Sequence, residues 1–253
     1  MIAVIVKKEM KVFFRNPLSY LIAGLFTLIV GWVFFNQLTY FTEHIQKLPV
    51  HLRSHYDFAN EVVIKMFGNI NFLMLFFIPI LTMKSFAQEY KDETINHYFT
   101  SSHVSDYELI LGKYLSYFLM GSFVIGMTFV FPLFLSNIEV TDSSFLYTGF
   151  IGVFLNLACY CGLGCLASSL SRNQIVGALL GFVFVFFTWL MAMFSQGASQ
   201  HIVAELLRFL SINHHFQNFA KGRLSLSDLS FYISFIVLIF VFIKKRLSMR
   251  DWQ

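Results

Sequence analysis

The chain has 253 residues, of which 57% are hydrophobic and only 13% carry a charge, and its mean hydropathy is +0.67. These values lie outside the range of ordinary globular domains and indicate a single all-α domain that crosses a membrane several times. The net charge of +4 is small, and the basic residues form no stripe along the chain, so nucleic acid is not expected as a partner.

The first 16 residues are predicted to form an interfacial helix. They do not resemble a signal peptide, because the apolar run that follows is too long and has no small-residue cleavage site. Apolar residues recur at helical spacing, at Val6, Met10 and Phe13, and the basic residues fall on another side: Lys7, Lys8, Lys11 and Arg15. This pattern suits a helix lying among the lipid headgroups. Alternatively, these charges serve only to orient the first span.

Six stretches are long and apolar enough to cross a bilayer. The last of them is short, so we expect it to begin a few residues earlier than its hydropathy indicates. The predicted spans are Leu18 to Leu38, Phe67 to Met83, about Tyr114 to Leu135, Phe145 to Leu170, Gln174 to Phe194 and Leu229 to Ile243.

The distribution of Lys and Arg predicts the orientation of these spans. With six spans, 12 basic residues fall on the side of the two termini and six on the opposite side. Because positive residues accumulate in cytoplasmic loops, both termini and the loop 84–113 are expected in the cytoplasm.

Several classes of function are disfavoured by what the sequence lacks. No predicted span carries an ionisable residue in its middle, which ion-coupled carriers and proton pumps require. The phosphate-binding pattern GxxxxGK[ST] and the zinc pattern HExxH are missing, so neither nucleotide hydrolysis nor metalloenzyme chemistry is indicated. No cofactor is expected in this chain.

The loop 84–113 contains a short amphipathic helix pattern. Ile95, Tyr98 and Phe99 form an apolar stripe, and Thr94 is placed to cap the helix. A stripe of this kind on an exposed element suits a groove on a partner protein. Alternatively, it packs against the inner ends of the chain's own spans.

This loop resembles the cytoplasmic loop between spans two and three of ABC-2 permeases, which are type V exporter-like, and most closely that of single-domain permeases of the GldF and NosY kind. The corresponding positions are Pro79, Glu89, Thr94, Thr100-Ser101, Ser105, Gly112 and Lys113. Two positions depart from the family pattern. Glu93 replaces the usual Gly, and Ser102-His103 replaces the usual Pro, so the turn after the helix is less predictable than the helix.

The resemblance implies a permease subunit of an ATP-driven exporter in the bacterial inner membrane. A second permease chain, identical or homologous, and two separate ABC ATPase subunits would be its partners besides membrane lipids, and the ATPase subunits would bind the ATP and magnesium. The residues implied in coupling to the ATPase are Glu89, Thr94, Ile95, Tyr98, Phe99, Gly112 and Lys113. An alternative is a component that transmits ATP-driven motion to an envelope partner without moving a substrate, and an ATP-independent carrier is a third. No substrate is indicated.

Other motifs indicate helix packing. Gly177 and Gly181 have the spacing that lets another helix approach closely, either within the chain or from a second protomer. Cys159, Cys161 and Cys165 lie in an apolar span, where close packing is a better explanation than a metal site.

The loop 195–228 is long and contains the helical pattern Ile202, Leu206, Phe209 and Leu210. The resemblance implies that this loop covers the outer end of the translocation path. Histidines in it, His201, His214 and His215, lack the spacing of a metal site. A second helical pattern, Val62, Val63, Met66 and Phe67, ends the loop 39–66.

Overall fold

The computed structural model describes residues 1–45, 47, 59–91, 105–136, 143–197 and 201–249. All regular structure in these ranges is helical, which confirms the predicted all-α class. Eleven α-helices occur in these ranges, and short π-helical segments, Phe41–Ile45 and Ala59–Ile64, flank the first loop. The α-helices are α1 (Ile2–Arg15), α2 (Pro17–Tyr40), α3 (Lys65–Thr82), α4 (Ala87–Lys91), α5 (Asp106–Thr128), α6 (Val130–Ser136), α7 (Ser143–Ser169), α8 (Gln174–Gly197), α9 (His201–Leu210), α10 (Ile212–Ala220) and α11 (Leu226–Ser248).

Six helical stretches of the described chain are long and apolar enough to cross a membrane, as the sequence predicted. The spans, numbered 1 to 6, are Pro17–His44, Val62–Lys91, Asp106–Leu133, Leu146–Ser169, Gln174–Ser195 and Leu226–Ser248. Span 6 begins before Leu229, as expected from its short apolar run.

Span 4 forms the centre of the bundle. In its most apolar stretch, 78% of the residues are buried within the chain, against 28% in spans 1 and 6 and 22% in span 5. Small residues let neighbouring helices approach it. A β-carbon added at Gly164 would lie 2.0 Å from Thr82 Oγ1 in span 2, and one added at Gly152 would lie 2.7 Å from Phe219 Cβ in α10.

Span 3 begins earlier than the sequence predicted. The apolar run pointed to Tyr114, whereas helix α5 starts at Asp106. Ser105 Oγ accepts a hydrogen bond from the Glu108 backbone N–H, and the Glu108 carboxylate accepts one from the Ser105 backbone N–H. This reciprocal cap fixes the start of the helix, although its first turn is mostly polar. The loop between spans 2 and 3 is therefore shorter than 84–113.

The predicted N-terminal helix is present as α1, which is separate from span 1. It ends at Arg15, and the side chain of the following Asn16 accepts a hydrogen bond from the Leu18 backbone N–H and caps the next helix. Ile5 is buried, and Met10 and Phe13 pack against the core. Gly112 of α5 makes this contact possible, because a β-carbon there would lie 3.0 Å from Ile5. Helix α1 thus lies along the base of span 3.

The loop between spans 5 and 6 is helical in its described part, as its pattern predicted. Helix α9 has no buried residue, whereas α10 buries Ile212, Phe216 and Phe219 against span 4 and its neighbours. The helical pattern predicted before span 2 lies in the π-helical segment Ala59–Ile64 and the start of α3, where Val62, Val63, Met66 and Phe67 are all buried.

Candidate functional site

A buried cation lies where α1, the end of span 2 and the base of span 3 meet. Lys113, on the second turn of α5, has a side chain only 1% exposed. The predicted span boundary placed this residue outside the apolar segment, and the earlier start of α5 places it inside the helix. A buried ammonium group is costly unless it is paired and hydrogen-bonded, so its surroundings decide whether the arrangement is stable.

Two carboxylates and a carbonyl group surround Lys113. Its Nζ lies 2.9 Å from Glu89 Oε1 in α4 and 3.6 Å from Glu9 Oε1 in α1. It also donates a hydrogen bond to the Ser85 backbone carbonyl and lies 5.3 Å from the centre of the Phe86 ring. We refer to Lys113, Glu89 and Glu9 as the triad. The triad joins α1 to the consecutive helices α4 and α5, which are distant from it in sequence.

A second set of hydrogen bonds holds the bend at the base of span 2. Ser168 Oγ, in span 4, accepts from the backbone N–H groups of Phe86 (3.1 Å) and Ala87 (3.0 Å) and donates to the Met83 carbonyl (3.0 Å). These are backbone groups at the end of α3 and the start of α4, where intrahelical partners are missing. The bend is therefore attached to the central span, and Glu89 is presented to Lys113 from a fixed position.

Glu89 has one further charged neighbour and one unpaired oxygen. Lys8 Nζ, on the exposed side of α1, lies 3.8 Å from Glu89 Oε1. Glu89 Oε2 is buried and has no hydrogen-bond partner among the described residues. The carboxylate thus contacts both lysines through one oxygen.

The triad borders a cavity of about 420 Å³. The cavity lies between α1, the start of span 1, the end of span 2 and the base of span 3. Its walls include Phe13, Ile22 and Phe77, and charged groups of both signs lie at one end, among them Lys84 and Glu89.

The structure brings together only part of the residues predicted for coupling. Glu89 and Lys113 form an ion pair, and Gly112 contacts α1. The other four, Thr94, Ile95, Tyr98 and Phe99, lie outside the described residues.

The predicted packing glycines face helices of the same chain. A β-carbon at Gly177 would lie 3.4 Å from Ser168 Cα, and one at Gly181 would lie 3.3 Å from Pro79 Cβ. The three cysteines are buried and unpaired in span 4, consistent with packing. These positions contribute to the contacts of spans 2, 4 and 5.

Sequence reasoning missed Glu9 as a partner of Lys113. In the sequence, Glu9 lies within a basic run and has no spacing relation to residues about a hundred positions away. The sequence did contain one signal. Glu9 lies four residues after Ile5 and three before Val12, so all three share one side of α1. Ile5 faces the bundle and Val12 faces the cavity.

A buried polar network at the opposite end of the bundle was also missed. Tyr232 Oη donates to Asn156 Oδ1 (2.6 Å), Asn156 Nδ2 donates to Asn71 Oδ1 (2.8 Å), and Asn71 Nδ2 donates to Asn213 Oδ1 (2.9 Å). The chain of hydrogen bonds links spans 2, 4 and 6 to α10. Fully paired networks of this kind fix one arrangement of the helices they join.

His215 and Asp228 extend the polar contacts at this end. His215 Nδ1 lies 2.6 Å from Asp228 Oδ1, and its Nε2 lies 3.0 Å from the Phe209 carbonyl oxygen. Both ring nitrogens face acceptors, and only a protonated imidazole can donate from both. Asn218 donates to Asp228 Oδ2 at 3.1 Å, so the buried carboxylate is also paired. Burial, followed by the neighbouring His215, lowers the pKa of His214.

The six apolar helices and the buried ion-paired bend define a multi-pass, all-α membrane protein with a charged junction at one end of the bundle. A family model described as ABC-2 type transporter matches residues 2–212, which is most of the chain. The chain therefore belongs to the ABC-2 type transporter family and is the permease component of such a transporter. A search of curated proteins found no match.

Proposed function

We propose that this permease couples ATP hydrolysis by two separate ATPase subunits to export, together with a second permease chain, identical or homologous. The proposal places the chain in a bacterial inner membrane with both termini and the loop between spans 2 and 3 in the cytoplasm. The triad is the observation that carries it. The segment 92–104 connects α4, which carries Glu89, to α5, which carries Lys113. The helices at both of its ends therefore meet at one buried junction.

A loop attached in this way can transmit a push. The end of span 2 is held by Ser168 of span 4, and the start of span 3 is capped by Ser105 and Glu108. A displacement of segment 92–104 therefore acts on α4 and α5 together, and through the triad on α1. A shift between two packed states requires rigid elements that share a discrete contact.

In this proposal the apolar stripe Ile95, Tyr98 and Phe99 binds a groove on the ATPase, and Thr94 caps the helix that carries it. Burial of such side chains would supply about 4 to 8 kcal/mol before the costs of association. ATP binding would bring the two motor subunits together, and the attached loops would move with them.

The test is binding of the ATPase subunit that co-purifies with the permease. Replacing Tyr98 and Phe99 together by alanine should weaken that binding at least tenfold, if each ring contributes about 2 kcal/mol. The measurement is a titration of the ATPase against permease variants in detergent micelles. ATP hydrolysis should be measured on the same samples and should appear only with the ATPase present.

A matched control is Ile202→Ala with Leu206→Ala. These residues are exposed apolar side chains on α9, between spans 5 and 6, which is the opposite side of the membrane from the loop between spans 2 and 3. Their replacement should leave ATPase binding unchanged. Undiminished binding of the Tyr98 and Phe99 variant would refute the coupling role of this loop.

A further inference from the structure

A buried histidine of α10 connects α9 to span 6. His215 Nδ1 lies 2.6 Å from Asp228 Oδ1 in span 6, and its Nε2 lies 3.0 Å from the Phe209 carbonyl oxygen in the last turn of α9. The imidazole ring is stacked on the Phe231 ring, with 4.0 Å between the ring centres. One side chain therefore contacts two elements at the end of the bundle opposite the triad.

The hydrogen-bond geometry determines how many protons His215 and Asp228 must hold together. A carbonyl oxygen can only accept, so His215 Nε2 must carry a proton to bond to Phe209. The short contact between Nδ1 and Asp228 Oδ1 needs a second proton, on either of the two atoms. Asn218 donates to Asp228 Oδ2, so the other carboxylate oxygen already has its donor. These contacts are all made only when the pair of side chains holds two protons.

Loss of one proton from this pair breaks the contact to α9 and keeps the contact to span 6. The remaining proton stays between Nδ1 and Asp228, because a hydrogen bond to a carboxylate is about twice as strong as one between neutral groups. The departing proton leaves His215 Nε2 for water, and the adjacent Phe209 is 62% exposed. The Nε2 lone pair then faces the carbonyl oxygen of Phe209, and the two repel each other.

The end of α9 depends on this contact. Helix α9 buries none of its side chains. The Phe209 carbonyl is among the last four of the helix, which lack intrahelical donors, and a protonated imidazole at this end is also favoured by the helix dipole. The next polar contact, from Ser211 Oγ to the Thr188 carbonyl of span 5, is long at 3.4 Å. The hydrogen bond from His215 is therefore the shorter of the two that hold this end.

The other ionisable groups on the neighbouring elements do not replace Asp228. They are His201, Glu205 and Arg208 of α9, His214 and Lys221 at α10, and Tyr232 of span 6. His201 and Glu205 form an exposed pair with each other. Spans 4 and 5, which also pack against α10, contain no Asp, Glu, Lys, Arg or His. The contact to α9 therefore depends on the protons that His215 shares with Asp228.

We propose that His215 and Asp228 form a pH-sensitive latch that attaches the end of α9 to α10 and span 6. With two protons the latch holds the Phe209 carbonyl, and loss of one proton releases the end of α9. The stabilising contact is thus present at low pH and is lost as the pH rises, which is the direction expected for a histidine that donates in the folded state. The latch acts on the loop between spans 5 and 6 and does not depend on ATPase coupling.

The experiment is hydrogen exchange of the purified full chain in detergent, measured by mass spectrometry. The pH is varied from about 5.5 to about 9, which brackets the ordinary titration of histidine, and rates are corrected for the intrinsic pH dependence of amide exchange. We expect the protection of the α9 amide groups to fall about tenfold over this range, as loss of one charge-assisted hydrogen bond implies. Protection in the buried span 4 should stay constant in the same samples.

Two glutamine variants assign the effect to one histidine. His215→Gln removes the titrating group, so the protection of α9 should be low at every pH. The matched control is His214→Gln, which changes the adjacent histidine of the same helix and should keep the tenfold fall. The pH series of the unchanged chain and of this control test the latch even if His215→Gln impairs folding.

Constant protection of α9 across the pH range in the unchanged chain would overturn the proposal. An undiminished fall in the His215→Gln variant, or its loss in the His214→Gln variant, would assign the pH dependence to another group and would also overturn it. A parallel fall in span 4 would show general destabilisation and not release of α9, which contradicts the latch. None of these measurements requires ATP or the ATPase subunit, so they are independent of the coupling test.

Discussion

Replacing Lys113 by methionine should destabilise the protein far more than the same replacement at Lys244. Each of the two lysines has one close polar partner and one aromatic ring nearby. Lys113 pairs with Glu89 at 2.9 Å and lies 5.3 Å from the Phe86 ring centre, and Lys244 donates to the Tyr107 hydroxyl at 2.7 Å and lies 4.1 Å from that ring centre. They differ in burial and in charged partners, because Lys113 is enclosed between carboxylates and Lys244 is partly exposed.

The expected magnitudes follow from this difference. Lys113→Met leaves Glu89 with only its long contact to the exposed Lys8, and removal of one partner from a buried ion pair costs about 3–5 kcal/mol. Lys244→Met removes a contact at the surface of the bundle, where such interactions contribute less than about 1 kcal/mol. Glu89→Gln combined with Lys113→Met should be less destabilising than the sum of the single changes, by about 0.5–3 kcal/mol.

The assay is unfolding of the purified chain in mild detergent micelles by titration with SDS, followed by tryptophan fluorescence. The double variant completes a mutant cycle that isolates the interaction energy between Glu89 and Lys113. If Lys113→Met costs no more free energy of unfolding than Lys244→Met, the triad is hydrated and contributes no rigidity, and the mechanical role given to it above is wrong.

Two further results are expected in the same unfolding assay. Gly164→Ala should be strongly destabilising because its β-carbon would lie 2.0 Å from Thr82 Oγ1, whereas Gly126→Ala, at a helical glycine with nothing within 4 Å, should be neutral or slightly stabilising; equal effects would contradict the close packing of spans 2 and 4. Asp228→Asn should cost about 3–5 kcal/mol because it leaves the buried His215 without a carboxylate, and an unchanged free energy of unfolding would show that the pair is not buried as an ion pair.

The spans were predictable because their signal is local. A run of about 20 apolar residues must cross the bilayer or be buried, and no knowledge of distant neighbours is needed to find it. Hydropathy placed the start of span 3 too late, because a polar start of that helix is fixed by Ser105 and Glu108. The capping pattern was present in the sequence, but the span boundary was placed by apolarity and not by the cap.

The junction was predictable only in part because its contacts are between distant residues. Glu89 and Lys113 were identified through the family resemblance, which supplies positions but not the partner of each charge. Glu9 lies in another helix, and the Asn71–Asn156–Tyr232 contacts join three spans whose relative rotation the sequence does not determine. Gly177 and Gly181 predicted a close helix without predicting which one, and the helices they face belong to the same chain.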